Sequence, residues 1–427
     1  MDPLRIGIAG LGTVAQGLLE ILHANSSEIT RRAGRSLSVV RVASRSPKPS
    51  VDLGTADFST DLSTLHDADI DVVVELIGGE DTALQLVRDA MAHKQSVVTA
   101  NKAIIARHGN ELVADAGREG VMLGFEAAVA GGVPIVNALT RGMVGNRVQW
   151  IAGIINGTSN YILTAMADHG STFAAALQEA QGLGYAEADP AFDVEGVDAA
   201  HKLTILAALA FDTDFRFDAV YTEGITHITT EDIEYARELG YAIKHLGIAR
   251  SSQDGIEARV HPCLIPRNCM LANVDDVMNA VLVHADAAGP TLYYGAGAGA
   301  RPTASAVIAD LVAMARGDAV DFKVGGADHG ALNMEQVETA YYLRVPSLDE
   351  PGVFARVATI LSEHAISIEG AIQRERAVHV DTSASWVPII ILTHRVREHV
   401  MTSALKAVQA LPEIVGEIMR IRVEQLD

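Results

Sequence analysis

Leu4-Arg-Ile-Gly-Ile-Ala-Gly10-Leu-Gly12-Thr13-Val14-Ala15-Gln-Gly17 opens the chain and decides how the rest is read. Leu4–Ala9 is a short apolar run that meets glycine, and residues 14–22 are amphipathic at helical spacing, so a strand, a tight turn and a helix are predicted. Between them stands glycine-x-glycine-x-x-alanine, where small residues are needed for three reasons. Gly10 must turn tightly, Gly12 must let the main chain approach a pyrophosphate, and Ala15 must let the helix meet the strand. The helix start at Thr13 and Val14 offers unbonded N–H groups and a partial positive charge. A dinucleotide site is therefore expected here.

Working outward, residues 39–43, 70–76, 96–99 and 121–125 are short apolar runs rich in β-branched residues, as in a parallel sheet with crossovers. At the end of the second run an acid would grip the ribose of NAD. Ser44, Arg45 and Lys48 stand there instead, suited to a 2′-phosphate, so NADP(H) is favoured and NAD(H) stays open. Near residue 149 the texture changes, with a strand expected over 150–155 and helices over 161–169, 173–182 and 198–210. The glycine-dense stretch Gly295-Ala-Gly-Ala-Gly299-Ala precedes a helical run over 303–316 that could pack back onto the first sheet.

The expected organisation is α/β throughout: a dinucleotide-binding domain over 1–135, completed by a helix around 300–318, and a substrate and dimerisation domain over 136–300. A linker follows over 319–340, beginning in the Gly- and Asp-rich stretch from Gly317 to Gly330, and then a small module over 341–427. At 427 residues the chain exceeds what one core usually serves. A net charge of −21 argues against nucleic acid or anionic lipid as a partner. No apolar run approaches a membrane span and no signal peptide is recognisable, so a cytoplasmic protein is expected. Cys263 and Cys269 form neither a metal-ligand pair nor a disulfide framework.

Two further stretches carry chemistry. Thr99-Ala-Asn-Lys102 follows a predicted strand at the sheet edge where ligands bind, which puts an ammonium near the coenzyme. Gly184-Tyr-Ala-Glu187-Ala-Asp189-Pro-Ala-Phe-Asp193-Val-Glu195-Gly-Val-Asp198-Ala-Ala-His-Lys202 packs five carboxylates and a lysine just before an apolar helix. Asp198 and Lys202, spaced i,i+4, share one face and can pair. A small amino acid with a reactive carbonyl needs carboxylates for its ammonium and a proton donor for its oxygen, and both are present.

Together these motifs resemble the homoserine dehydrogenase family. The resemblance also rests on Gly153-Ile-Ile-Asn156-Gly157-Thr158-Ser-Asn160-Tyr161 and on the glycine-dense stretch continued through Pro302-Thr303, all in the family's order over the first three quarters of the chain. It implies a Rossmann-type domain, an α+β catalytic domain whose sheet forms a homodimer or homotetramer, and reduction of aspartate β-semialdehyde to homoserine between them. It implies Lys202 as proton-transferring lysine, Asp198 as its partner and Lys102 as a second ammonium near coenzyme and substrate. Glu187, Asp193 and Thr158 would contact substrate, and Gly299 would lie near the nicotinamide. A monovalent cation, Na+ or K+, would be held by one carboxylate and several carbonyls at Glu126, Val129, Gly131 and Val133. Ala15 and Ala188 depart from the family's usual glycine and proline.

From Leu343 an apolar run leads into Asp349-Glu-Pro351-Gly352, an amphipathic helix and the strand-like residues 366–372. This resembles an ACT domain, a βαββαβ module, and implies feedback control by a pathway end product such as threonine. Two competing readings remain at this level: another nicotinamide-dependent oxidoreductase, or an amino-acid sensor with a degenerate enzyme domain. The stretches 184–190 and 196–202 argue against the first, and the retained Lys102, Glu187, Asp198 and Lys202 against the second.

Overall fold

The computed structural model describes residues 2–318, 325–326, 330–373 and 386–426. Six strands build the first sheet: β1 (Leu4–Ala9), β2 (Leu37–Ala43), β3 (Asp57–Ser59), β4 (Val72–Glu75), β5 (Ser96–Thr99) and β6 (Leu123–Gly124). They run parallel in the order β3-β2-β1-β4-β5-β6, so the order reverses direction beside β1. Alternation decides which face each residue serves. Ile6, Ile8, Val72 and Val74 pack with Leu18, Val307 and Leu311 on one side, while Val73 and Val97 pack with Leu86, Met91 and Leu112 on the other. Both faces are buried, which is why these strands read as continuous apolar runs rather than alternating ones.

The helices Thr13–Ala24 and Ala300–Arg316 lie against each other on the first of these faces. Gly17 makes that contact possible, because a Cβ there would sit 2.6 Å from the Ala300 carbonyl oxygen. The late helix thus belongs to the first domain by packing, although most of the second domain separates it in sequence.

The second sheet has eleven strands: β7 (Val148–Ile154), β8 (Tyr221–Thr222), β9 (Tyr241–Ser252), β10 (Gly255–Pro266), β11 (Met278–Ala285), β12 (Gly289–Ala296), β13 (Glu338–Leu348), β14 (Ile368–Gln373), β15 (Trp386–Thr393), β16 (Val396–Arg397) and β17 (Met419–Val423). Its order is β12-β11-β7-β9-β10-β17-β13-β15-β14, with β8 beside β10 and β16 beside β13. The hairpins β9-β10 and β11-β12 were not expected from sequence, although Asp254-Gly255 and Ala288-Gly289 mark their turns. Helices Gly157–His169, Phe173–Gly182 and Val197–Phe211 belong to this second domain, as the sequence pattern implied.

The last quarter of the chain forms β13, helix Val353–Glu363, β14, β15, helix Glu398–Gln409 and β17, the expected βαββαβ order. It is not a separate bead. β17 pairs in parallel with β10 at Cys263 with Arg422 and Leu264 with Val423, so one sheet crosses from the second domain into the module. Of the expected linker, residues 319–324 and 327–329 lie outside the described residues. Its later part binds β10, where Ile256 N donates to Gly330 O and Leu332 N to Ile256 O, and β13 already begins at Glu338. No helix among the described residues is long and apolar enough to cross a membrane.

Candidate active site

A cleft of ≈ 720 Å³ opens at the carboxyl edge of the parallel sheet, lined by Gly12, Thr13 and Val14 on one side and by Lys102, Phe192 and His201 on the other. Gly10 has φ +94°, and a Cβ there would meet the Leu76 carbonyl oxygen at 2.7 Å, so only glycine fits that turn. Gly12 faces open space and begins a helix whose first turn carries neither a side-chain cap nor an acid. These free N–H groups and the open approach fit a pyrophosphate. Arg45 and Lys48 are exposed on the loop that follows β2.

Asp198 is buried directly behind the opposite wall, next to its lining residues Lys102 and Val197. The helix Val197–Phe211 starts after Gly196, whose φ of +86° turns the chain, and its first turn presents Asp198 inward. Lys202, one turn on, donates to Asp198 Oδ2 at 2.6 Å and to the Ile155 carbonyl at 2.7 Å. Lys102 comes from the other domain, at the start of the helix Lys102–Glu119, and its Nζ lies 2.8 Å from Asp198 Oδ1. Asn156 completes the cluster, its Nδ2 donating to Asp198 Oδ2 at 2.8 Å and Asp193 Oδ1 at 2.7 Å while its Oδ1 caps the helix Gly157–His169 through Ser159 N. One carboxylate is thus shared by two ammonium groups and one amide.

Burial sets the charges. It would raise the Asp198 carboxyl, but Lys202 and Lys102 outweigh it and hold the group well below the usual carboxylate range. Lys202 is pushed down, chiefly because burial disfavours its charge. Burial pulls the partly exposed Lys102 the same way, but the charge of Asp198 prevails and raises it. Asp193 is raised by burial. His201 lies between the Phe192 and Phe217 rings, with centroids 5.6 and 4.4 Å away, and burial pushes it down to about 4. A lysine with a lowered proton affinity, buried beside a cleft, is suited to proton transfer.

The other expected residues fall as follows. Thr158 is buried and donates to the Tyr185 carbonyl at 2.7 Å. Glu187 is exposed, yet its charge still acts on Lys102. Gly299, with φ +125°, precedes the helix Ala300–Arg316. Glu126 is buried, its carboxylate accepting from Val136 N at 2.9 Å and Asn137 N at 2.7 Å, and from the Asn137 amide. Its oxygens are therefore engaged at the start of a helical turn, and Val133 O accepts from Ile135 N. Gly131 lies against Gly297, and Gly132 N donates to Ala296 O, so this turn packs on the glycine-dense stretch.

Sequence reasoning missed Glu75, buried at the end of β4 on the cleft wall. It accepts from Thr99 Oγ1 at 2.5 Å, Ile77 N at 2.9 Å and Gly78 N at 3.1 Å, tying three cleft segments together. An acid closing an apolar run at the ligand edge of a sheet was the available signal. Phe192, whose ring centroid lies 5.6 Å from Lys102 Nζ, and Arg107 were likewise unremarked.

The sequence pattern of homoserine dehydrogenases matches residues 134–312, that of the homoserine dehydrogenase NAD-binding domain matches 10–126, and that of the ACT domain matches 341–413. The chain is 51% identical to homoserine dehydrogenase of Pseudomonas aeruginosa and 47% identical to that of Neisseria gonorrhoeae, with 100% of each chain covered in both cases. Its fold superimposes on a crystal structure of a homoserine dehydrogenase from Thiobacillus denitrificans with a TM-score of 0.93 at 50% identity, covering 100% of this chain and 99% of the other.

Proposed function

As this chain belongs to the homoserine dehydrogenase family of oxidoreductases, with its nicotinamide-binding domain and a C-terminal ACT domain, we propose that it reversibly reduces L-aspartate 4-semialdehyde to L-homoserine in the cleft beside Lys202. The observation that carries the reading is the sharing of Asp198 by Lys202 and Lys102, one from each domain, at the wall that faces the glycine loop. The bound coenzyme supplies or accepts the hydride. Lys202 holds the proton that the developing alkoxide takes up, and Asp198 keeps its ammonium oriented. Lys102 adds positive charge at the same place. Glu187, Asp193 and Thr158 are the substrate contacts, the two carboxylates answering the α-ammonium of the amino acid.

NADP(H) is the preferred coenzyme on this reading, because Arg45 and Lys48 stand where an acid would select NAD. A Na+ or K+ ion would be held at the turn of Glu126, Val129, Gly131 and Val133 by one carboxylate and several main-chain carbonyl oxygens, an oxygen-rich set of low charge. The protein acts as a homodimer or homotetramer, with threonine as the effector of the ACT module.

The test is loss of NADPH absorbance with L-aspartate 4-semialdehyde, repeated with NADH, with and without Na+ or K+, and with added threonine. Turnover faster with NADPH, slowed by threonine, is expected. Absence of turnover with both coenzymes from folded protein supplied with cation would sink the reading.

A further inference from the structure

We propose that Arg422 of the C-terminal module and Glu223 of the second domain are positioning residues for the substrate-side carboxylates, so that the module props the active site directly. Arg422 is fully buried on β17. Its Nη1 lies 2.8 Å from Glu223 Oε2, its Nη2 donates to Tyr221 Oη at 3.2 Å, and its Nε and Nη2 fork onto the two oxygens of Glu398 at 3.0 and 2.6 Å. Tyr221 in turn donates to Glu223 Oε2 at 2.8 Å. One guanidinium therefore joins the head of a module helix to the short segment that follows β8.

That segment is the floor of the catalytic turn. Glu223 is held at both ends of its peptide, donating to Val260 O at 2.8 Å and accepting from His245 Nε2 at 3.0 Å. Gly224 lies so close to the turn that a Cβ would meet Val194 O at 2.5 Å and Glu195 Cα at 2.8 Å, and Ile225 N donates to Val194 O at 2.9 Å. From the other side, a Cβ on Gly196 would meet Thr222, His245 and Val260 at 3.0 to 3.2 Å. Residues 193–196 carry Asp193 and launch the helix of Asp198 and Lys202, so a shift of the floor moves all three. A close-packed interior transmits such a shift rather than absorbing it. Removing the guanidinium takes from the buried Glu398 and the half-buried Glu223 the charge they share, leaving Arg420 beside the first and His227 beside the second, and frees the floor to shift.

The inference rests on the proposed roles of Asp193 and Asp198. The experiment compares full-length wild type with Arg422→Gln, Arg422→Lys, Glu223→Gln, Gly224→Ala and Arg344→Gln, measuring substrate KM, coenzyme KM and kcat well below each melting temperature. Arg344 is the control. It makes a partly buried ion pair from β13 to Asp232, on the helix Thr230–Glu238, across the same seam but away from the floor. The expected result is a substrate KM raised about 10-fold or more in the Arg422→Gln, Glu223→Gln and Gly224→Ala proteins. Coenzyme KM stays unchanged, Arg422→Lys recovers part of the effect, and Arg344→Gln shows none of it. If Arg422→Gln fails to fold, Glu223→Gln and Gly224→Ala decide. Unchanged substrate KM in those two, or an equal rise in Arg344→Gln, overturns the inference alone. Absence of turnover by the wild type overturns the functional reading beneath it.

Discussion

Lys202 and Lys102 share one carboxylate, yet burial treats them differently. Lys202 is largely buried and its proton affinity falls, whereas Lys102 is more exposed and the charge of Asp198 raises it. As pH rises, Lys202 therefore loses its proton below the ordinary lysine value of about 10.4 while Lys102 keeps its own. On the proposed role of Lys202, homoserine oxidation needs the free amine and reduction the ammonium, so oxidation should climb to a plateau over the range in which reduction declines. Coincident pH profiles in the two directions would remove Lys202 from the proton step. Replacing Lys202 with alanine should lower kcat by about 10²- to 10⁴-fold with coenzyme affinity retained. A folded variant with near-normal turnover would shift the role to Lys102. The Asp198–Lys202 pair was legible in sequence because i,i+4 spacing on a helix is a local rule. The approach of Lys102 to Asp198 was not, since no local rule brings together residues from two domains.

At the scale of elements, the first βαβ unit followed its motif closely because each glycine answers a local demand. The contact of Gly17 with Ala300 is different, as it ties the opening helix to one formed nearly three hundred residues later. Gly17→Ala should destabilise the protein by about 1–3 kcal/mol, through overpacking against main chain that cannot rotate away. It should also raise coenzyme KM, because the displaced helix carries Thr13 and Val14. Thermal unfolding and coenzyme titration check both effects, and a variant with wild-type values in each would mean that the helices part without consequence. The hairpins β9-β10 and β11-β12 escaped sequence reading for a physical reason. The central residues of β9, β10 and β11, such as Leu246 to Ala249, Val260 to Leu264 and Asn279 to Val283, are buried on both faces, so the alternation that betrays a half-exposed strand is missing there.

For the whole molecule, the seam between module and second domain carries buried charge. Arg259 pairs with Glu424 at 2.6 Å, Arg250 reaches the same carboxylate at 3.0 Å, and Arg422 joins Glu223 to Glu398. The carboxyls of Glu424 and Glu398 are held low because these arginines outweigh burial. Truncation before β13 would strip Arg259 of Glu424 and Glu223 of Arg422, and would open the edge of β10. Each broken buried pair costs about 3–5 kcal/mol, against a total stability of about 5–15 kcal/mol. The truncated chain is therefore expected to aggregate or to lose its cooperative transition, as gel filtration and circular dichroism would show. A soluble fragment with the native melting temperature would refute this.

The sequence by itself determined what depends on neighbours along the chain: the strand, turn and helix of the dinucleotide loop, the pairing of Asp198 with Lys202, and the βαββαβ order of the C-terminal module. Tertiary structure decided what depends on neighbours in space. It carried Lys102 to Asp198, seated the Ala300–Arg316 helix on the first sheet, buried Glu75 in the cleft wall and ran one sheet from β10 into β17. The physical reason is the same in each case. Propensity, capping and periodicity act over a few residues, whereas burial and charge pairing are settled only when distant segments compete for the same space.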